Sequence, residues 1–429
     1  MKRIIAVPEN NLFAADLSND HNDLEIVLYG RRSELTQASV GAAIQHIVQR
    51  NRLNPAPRAW DLLSIVLSVI TADMHVLRSE SPDGWTREIE LCVSVSDPEF
   101  WMSQQKLLEE QLQFLTTDVW KLSFVKCSLP LLPASQIFKP DQDCIVLLSG
   151  GLDSLIGAID LVALDKHPYA VSQVAQGDTN QQRLFASRIG GGLAHLQLNH
   201  NAKCRGPHER SQRPRSLAFL AYGVLLATAL KRYEEDANVN LYICENGFIS
   251  INPPLTVSRL GSLSTRTTHP YFLQLFQELL SNAELRVTIA NPYQFITKGE
   301  MLLGCKDQSL LHQHAHESTS CGRYARNGYK HCGRCVPCLI RRAAFHKWDI
   351  DDHTDYVYED LSIPDRNHAE YDDVRAAAMA VQSVQSVGLE NWAGPALSSA
   401  ILHQADPYKS MVQRGLDELA AFLKTVGVA

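Results

Sequence analysis

The sequence lacks the features that would direct a chain to a membrane or to bulk nucleic acid. Its longest apolar run, Leu217–Leu230, covers 14 residues, which is too short for a membrane span and suits a buried helix. The N-terminal segment has neither the apolar stretch nor the cleavage pattern of a secretory signal. With a net charge of −7, the chain has no basic excess to attract a nucleic-acid backbone. We therefore expect a cytoplasmic protein with no membrane contact and no direct nucleic-acid partner.

Internal repeats and low-complexity segments are also absent, and the hydrophobic fraction of 45% is that of an ordinary globular protein. A chain of 429 residues can hold two or three domains. Prolines cluster in residues 129–140 and mark a boundary there. We predict an N-terminal domain over residues 1–138, a central domain over residues 139–348 and a helical segment over residues 349–429.

What the chain does contain is a glycine pair directly after an apolar strand. The strand is Cys144–Leu148, and the residues that follow it are Ser149, Gly150, Gly151, Leu152, Asp153 and Ser154. The two glycines allow a tight turn with bare N–H groups, and the start of the next helix adds orphan donors and a positive dipole end. The two serine hydroxyls complete an anion site. The carboxylate of Asp153 suits Mg²⁺. No Walker A pattern is present.

The ten cysteines fall into two groups. Six are scattered and are expected to be buried thiols. The other four have the spacing C-x10-C-x2-C-x2-C and are Cys321, Cys332, Cys335 and Cys338. Four thiolates at this spacing suit one tetrahedral zinc ion, which would be structural because no coordination position stays open. An iron–sulfur cluster and a redox-active C-x-x-C motif are the alternatives.

Three histidines, His312, His314 and His316, alternate along the chain just before this cluster. In an extended segment they would point to one side and could supply further metal ligands. The alternative is a polar loop beside the active site. Because four thiolates already saturate zinc, we do not predict these histidines to be ligands.

Between the glycine pair and the cysteines, short apolar strands alternate with helical patterns. The predicted strands cover residues 144–148, 170–174, 194–198, 241–244 and 285–289. This alternation predicts an α/β fold with a doubly wound parallel sheet, whose ligands bind at the carboxyl ends of the strands. In the first 135 residues, a helix is expected over 38–50 and a strand over 85–95, and we interpret this part as an α+β domain.

The order and spacing of the two motifs resemble the QueC, or 7-cyano-7-deazaguanine synthase, family of PP-loop (HUP-type) ATP pyrophosphatases, which also carries a zinc-binding C-terminal segment. The resemblance covers about residues 140–348. Arg215-Ser216 lies at a helix start where this family has an Arg-Asn pair, and Thr297-Lys298-Gly299-Glu300 is similar to the family's Thr-Lys-x-Glu helix start.

The resemblance implies that ATP activates the carboxylate of 7-carboxy-7-deazaguanine as an acyl-adenylate, and that an amine then displaces AMP. In the synthase, ammonia is the amine, and a second adenylation leads to the nitrile. The resemblance also implies that the Ser149–Ser154 loop holds pyrophosphate and that Asp153 holds Mg²⁺. Arg215 and Lys298 would face the substrate carboxylate or the α-phosphate. The alternative for Lys298 is a solvated lysine at a helix start.

The chain departs from the plain synthase in its roughly 140 preceding residues and in the stretch 245–270. In these respects it looks like the longer QueC-like proteins of bacterial antiphage operons, the QatC subfamily of Qat systems. That resemblance implies an amide formed on a partner protein from the same operon. An ammonia-dependent nitrile synthase and a nucleotide-binding subunit without turnover are the alternatives, and the intact loop and cysteines argue against the last.

Overall fold

In a computed structural model, the chain folds around two five-stranded sheets, and the pairings between the strands that the structure describes are all parallel. The structure describes residues 2–9, 24–31, 37–127, 136–174, 177–204, 206–209, 213–256, 266–363, 372–398, 402 and 405–428. The parallel ladders confirm the predicted α/β class. Across these ranges, no helix has the length and apolar character needed to cross a membrane.

The first sheet has the strand order β3-β2-β1-β4-β5. Its strands are β1 (Lys2–Pro8), β2 (Leu24–Leu28), β3 (Gln37–Val40), β4 (Glu88–Val95) and β5 (Val119–Lys126). The helices in this part are α1 (Ile44–Arg50), α2 (Pro57–His75), α3 (Pro98–Ser103) and α4 (Gln105–Thr116).

The predicted α+β character of the N-terminal part is therefore wrong, because the pairings between the described strands of this sheet are parallel and helices lie between its later strands. Two strands escaped the sequence patterns. A helix was expected over 38–50, but residues 37–40 pair with β2, and the Val40 carbonyl accepts a hydrogen bond from the Tyr29 N–H at 2.8 Å. Residues 119–126 alternate between exposed and buried positions at the edge of the sheet.

The second sheet has the order β10-β9-β6-β7-β8. Its strands are β6 (Cys144–Leu147), β7 (Pro168–Gln173), β8 (His195–Leu198), β9 (Val239–Tyr242) and β10 (Val287–Ala290), each close to its predicted position. The chain leaves β6 toward β7 on one side and returns to β9 on the other. This reversal opens a crevice at the carboxyl ends of β6 and β9, where doubly wound sheets bind ligands.

The remaining helices surround the second sheet and form the C-terminal part. They are α5 (Leu152–Ala163), α6 (Thr179–Arg188), α7 (Leu217–Ala227), α8 (Lys231–Glu234), α9 (Gly247–Ile251), α10 (Pro270–Asn282), α11 (Lys298–Gly304), α12 (Gln308–His314), α13 (Val336–Trp348), α14 (Asp373–Val387), α15 (Leu389–Ala393) and α16 (Ala405–Thr425). Short 3-10 turns occur at Arg78–Glu80, Ile189–Gly191, Arg213–Ser216, Ala315–Glu317, Ala325–Asn327 and Gly394–Leu397.

One hydrophobic core joins the two sheets. Helices α2 and α7 pack against each other between them, and the apolar run expected to form a buried helix lies in α7. A second core lies among α9, α13, α14 and α16. The proline-rich boundary falls mainly on residues 128–135, outside the described ranges, so the division at residue 138 stays a prediction.

Candidate active site and metal centre

The loop after β6 is closed by its two serines. Ser154 Oγ donates a hydrogen bond to the Gly151 carbonyl at 2.9 Å and accepts one from the Ser149 N–H at 3.2 Å. Ser149 Oγ accepts from the Gly151 N–H at 3.2 Å. Gly150 has φ +89°, a conformation that L side chains rarely adopt. The sequence Ser-Gly-Gly therefore forms a fixed turn that exposes backbone instead of side chains.

Helix α5 begins immediately behind this turn, at Leu152, whose side chain is buried. Among the described residues, no side chain caps the start of this helix. The first-turn N–H groups and the positive dipole end therefore face the loop without an internal partner. This arrangement fits a phosphate group.

Three segments far apart in sequence meet at Asp153. Its side chain is buried, and the Lys298 ammonium donates to Oδ1. The backbone N–H and the side-chain amide of Asn246 both donate to Oδ2, at 3.1 and 2.6 Å. The structure thus brings the predicted site residues Asp153 and Lys298 together, and Lys298 is buried, not solvated.

Glu245 adds a second carboxyl group to this cluster, beside Asp153. Burial favours a raised pKa for Asp153, but Lys298 and hydrogen bonds from Glu245, Lys298 and Asn246 outweigh it and lower that pKa. Burial, followed by the negative charge of Asp153, raises the pKa of Glu245 well above its ordinary value. Two carboxyl groups whose pKa values shift in opposite directions therefore lie together beside Lys298.

Lys298 owes its position to a well-capped helix start. Thr297 is the N-cap of α11, and its Oγ1 accepts from the Glu300 N–H at 3.1 Å. In return, Glu300 Oε2 accepts from the Thr297 N–H at 2.8 Å. This capping box fixes the first turn and points Lys298 toward α5.

Arg215 lies near Asp178 and His200 and is not among the residues that line the space between Asp153 and Lys298. It belongs to the 3-10 turn before α7 and its side chain is exposed. Its charge opposes the burial that raises the pKa of Asp178 and adds to the burial that lowers the pKa of His200 to about 4. The Asp178 carbonyl lies 3.5 Å from an ideal Cβ on Gly150, so Arg215 is a neighbour of the loop on the β7 side.

The four clustered cysteines converge as their spacing predicts. Their sulfur atoms all lie within 4.8 Å of one another, and two Sγ–Sγ pairs, Cys321–Cys335 and Cys332–Cys338, are each 3.9 Å apart. A disulfide needs about 2.05 Å, whereas four thiolates around one zinc ion lie about 3.8 Å apart. The cluster could therefore bind zinc, with Cys335 at the start of α13.

The cysteine cluster and the glycine loop are neighbours. The Thr319 N–H donates to the Gly150 carbonyl at 2.9 Å, and the Thr319 carbonyl lies 3.2 Å from an ideal Cβ on Gly151. The buried guanidinium of Arg341, on α13, donates to the Ser318 carbonyl at 3.2 Å and to the Ser318 hydroxyl at 2.8 Å. Residues 318–321 thus connect the cysteines to the loop.

A cavity of about 480 Å³ lies between these parts. It is lined by the loop residues Ser149, Gly151, Asp153 and Ser154, by Glu245 and Lys298, and by Thr319, Ser320, Gly322 and Pro337 from the cysteine segment. Its volume is that of a pocket for a small molecule. Carboxyl groups, one ammonium group and bare backbone meet in it.

Residues 267–349 match the family model of queuosine biosynthesis protein QueC. This QueC-like segment contains Lys298, Thr319 and all four clustered cysteines. The Ser149–Ser154 loop lies outside it, so the assignment of the loop depends on its own geometry.

Two curated relatives are 7-cyano-7-deazaguanine synthases. The protein from Sinorhizobium fredii is 32% identical over 90 residues, which are 20% of this chain and 36% of that protein. The protein from Rhizobium rhizogenes is 31% identical over 96 residues, which are 21% of this chain and 38% of that protein. The chain thus spans little more than a third of the length of each of these curated relatives. The matches support a QueC-like family for the matched part.

The three histidines before the QueC-like cysteines are not in an extended segment. His312 and His314 lie on α12, where His312 packs on Trp348 with ring centroids 4.6 Å apart. His314 Nδ1 is 2.6 Å from Glu317 Oε2. Among the described residues, the metal-type cluster here consists of the four cysteines alone. The three histidine side chains therefore do not point to one side, because alternate residues of a helix point in different directions.

The sequence patterns missed Glu245 and Asn246 as site residues, although they follow β9 directly. The signal was available, because β9 and β6 are neighbouring parallel strands whose carboxyl ends meet at one edge. Thr319 and Arg341 gave no such signal, since their roles depend on how the cysteine segment folds back over the loop.

Proposed function

We propose that this chain is an ATP-dependent enzyme that adenylates the carboxylate of 7-carboxy-7-deazaguanine or a close deazapurine acid. The observation that carries the proposal is the meeting of Asp153, beside a phosphate-type loop, with Lys298 of the QueC-like segment. Nitrile synthase chemistry in the curated relatives supports the substrate class.

In the proposed first step, a carboxylate oxygen of the substrate attacks the α-phosphorus of ATP. The bond from that phosphorus to the bridging oxygen breaks, and pyrophosphate leaves with the electron pair. The N–H groups at Gly150 and at the start of α5 would bind the departing pyrophosphate. The Gly151 N–H and the hydroxyls of Ser149 and Ser154, which make hydrogen bonds within the loop, would turn toward it as it forms. The buried side chain of Leu152 anchors the start of α5 in the hydrophobic core.

Lys298 would stabilise charge that develops at the α-phosphate, since this residue lines the cavity. Arg215 would contact ATP from the β7 side of the loop, where its exposed side chain has room to move. Ser154 shapes the loop through its hydrogen bonds with Ser149 and Gly151 and so would act on the geometry of the phosphates.

Mg²⁺ fits the paired carboxyl groups of Asp153 and Glu245. A hard divalent cation prefers carboxylate oxygens, and its charge would favour the ionised form of both groups. When bound, Mg²⁺ would supply charge neutralisation for the phosphates. The four cysteines would hold a structural Zn²⁺ that keeps Thr319 against the loop.

In the proposed second step, an amine nitrogen attacks the acyl carbon, the bond to AMP breaks and an amide forms with loss of a proton. We propose a protein amine as the acceptor, from a partner encoded with this chain in an antiphage operon of the Qat type, in the cytoplasm. The additional parallel sheet β1–β5, which precedes the loop, supports a function beyond ammonia transfer. Ammonia-dependent nitrile synthesis is the second candidate, favoured by the names of the curated relatives.

The acceptor is tested by incubating the protein with ATP, Mg²⁺ and 7-carboxy-7-deazaguanine, with ammonia or with the proteins encoded beside it. Intact-mass analysis should show a protein that gains the deazapurine acyl group together with AMP release. Free nitrile with no modified protein would contradict the protein acceptor and support the synthase. Absence of AMP release with every acceptor would contradict the enzyme proposal.

A further inference from the structure

The C-terminal helix α16 lies outside the QueC-like segment but packs on the helices that carry the candidate site. It contacts α9, which follows Asn246, and both α11 and α13. The second hydrophobic core, to which α16 contributes, therefore supports the helices next to the partners of Asp153.

Glu418 of α16 bonds to the first turn of α11. Thr297 Oγ1 donates to Glu418 Oε1 at 2.5 Å, and the Gly299 N–H also donates to the Glu418 carboxylate. An ideal Cβ on Gly299 would lie 2.8 Å from both carboxylate oxygens. The glycine thus permits the close approach, and Lys298 is held between two residues that Glu418 contacts directly.

Arg414, one turn earlier on α16, bonds to the same segment. Its Nε is 2.6 Å from Glu300 Oε1, and its Nη2 is 3.2 Å from Glu300 Oε2 and 2.8 Å from the Phe295 carbonyl. Such a two-pronged contact fixes direction as well as distance. Glu300 is also a member of the capping box, so Arg414 and Glu418 bind both ends of the same helical turn.

The Asn246 side of the site has a matching support. Phe248, two residues after Asn246, packs on Gly415 of α16, and Met411 packs on the adjoining Gly247. The segments that carry Lys298 and Asn246 thus both pack on one face of α16.

We propose that α16 is a positioning element of the candidate site, in which Glu418 is the positioning residue that holds Lys298 against Asp153. Glu418 does not reach the cavity itself; it acts through Thr297 and Gly299. The C-terminal segment would then be required for phosphate chemistry in the chain, although it contributes no group to the reacting atoms.

The test uses the full-length chain with Glu418→Ala, the conservative variant Glu418→Gln and the exposed neighbour variant Asp417→Ala as a matched control. Buried Lys298 should be protected from an amine-acylating reagent, and labelling is read by mass spectrometry at that residue. Glu418→Ala should raise the labelling rate of Lys298 roughly tenfold, because the turn opens locally. Glu418→Gln keeps an acceptor oxygen and should remain protected, as should Asp417→Ala.

The kinetic arm rests on the proposed function and measures AMP release from ATP. Glu418→Ala should lower kcat roughly ten- to hundredfold with a much smaller change in KM for ATP, since a displaced Lys298 affects the transition state. Glu418→Gln should restore most of kcat. If wild type releases no AMP, the proposed function fails, while the labelling arm still decides the positioning role.

Unchanged labelling of Lys298 in Glu418→Ala would overturn the inference. A fall in kcat without increased labelling would also overturn it, because Glu418 would then act by a route other than Lys298. Thermal melting of each variant confirms that the labelled protein is folded. If the whole protein had unfolded, a protease would cleave all of its segments at similar rates.

Discussion

The ammonium group of Lys298 lies on the carboxylate of Asp153, 145 positions away in the sequence, and both side chains are buried. The pair joins the start of α5, next to the glycine loop, to the start of α11 in the QueC-like segment. Neither helix would place a charge here without the other, since an unpaired buried charge is costly. This relationship leads to the first prediction.

Breaking the Lys298–Asp153 pair should be strongly destabilising. We expect Lys298→Met to lower the free energy of unfolding by about 3–5 kcal/mol, because two carboxyl groups lose their cation. Asp153→Asn should cost less, since Glu245 can then ionise in place of Asp153. In urea titrations, the double variant should cost less than the sum of the single variants by about 1–3 kcal/mol.

The control for that cycle is Lys231→Met, which removes an exposed lysine 3.6 Å from Glu235. It should change stability by no more than about 0.5 kcal/mol. Strict additivity of the two buried substitutions would show that the charges do not interact.

Gly150→Ala should weaken phosphate binding through backbone strain. There is room for the methyl group, because the nearest atoms to an ideal Cβ are 3.5 Å away, but φ of +89° disfavours any side chain. We expect a loss of about 1–2 kcal/mol in stability and weaker ATP binding by calorimetry. Gly304→Ala, at an open helix end, is the control and should leave ATP binding intact. Equal ATP affinity in Gly150→Ala and wild type would contradict the role of the turn.

Metal removal should weaken nucleotide binding, although the metal would not touch the nucleotide. We expect one zinc ion per chain by elemental analysis and loss of that ion in Cys335→Ser. Because Thr319 bonds to Gly150, the freed cysteine segment should no longer support the loop, and ATP affinity should fall roughly tenfold. Cys204→Ser, away from the cluster, should retain both metal and affinity. Iron in place of zinc would redirect the assignment of the cluster.

The Glu418 carboxyl group should make stability depend on pH. Burial raises its pKa to about 6, so the folded state binds a proton more tightly than the unfolded state, whose pKa is near 4.5. Stability from this group is therefore present below pH 4.5 and lost as pH rises to 6. Relative to wild type, Glu418→Gln should gain up to about 2 kcal/mol between pH 4.5 and pH 7, measured by urea unfolding at each pH. A difference that does not vary with pH would show that this pKa is unshifted.

The strands of the second sheet could be predicted from the sequence because each is a short segment with apolar residues between helical patterns, and the clearest is Cys144–Leu147, where all four residues are apolar and buried. The two edge strands of the first sheet, β3 and β5, could not. Residues 37–40 carry too few apolar positions to distinguish a strand from a helix start, and their pairing with β2 depends on tertiary contact.

Site prediction shows the same division. The loop and the cysteines are local motifs, and their spacing indicated the chemistry. Lys298 could be proposed from its motif, yet its burial and its contact with Asp153 are long-range facts. Glu418 and Arg414 carried no signal at all, because an amphipathic helix places such charges on its solvent face as a rule. Their role depends on the packing of α16 against the first turn of α11, which is a tertiary contact.

The central claim is that this site cleaves ATP between its α- and β-phosphates. Phosphorus NMR of the reaction with ATP, Mg²⁺, ammonia and 7-carboxy-7-deazaguanine tests it directly. We expect AMP and pyrophosphate in equal amounts, formed only when the deazapurine acid is present, and a loss of both in folded Asp153→Asn. Formation of ADP and phosphate, or equal product from Asp153→Asn and wild type, would contradict the account.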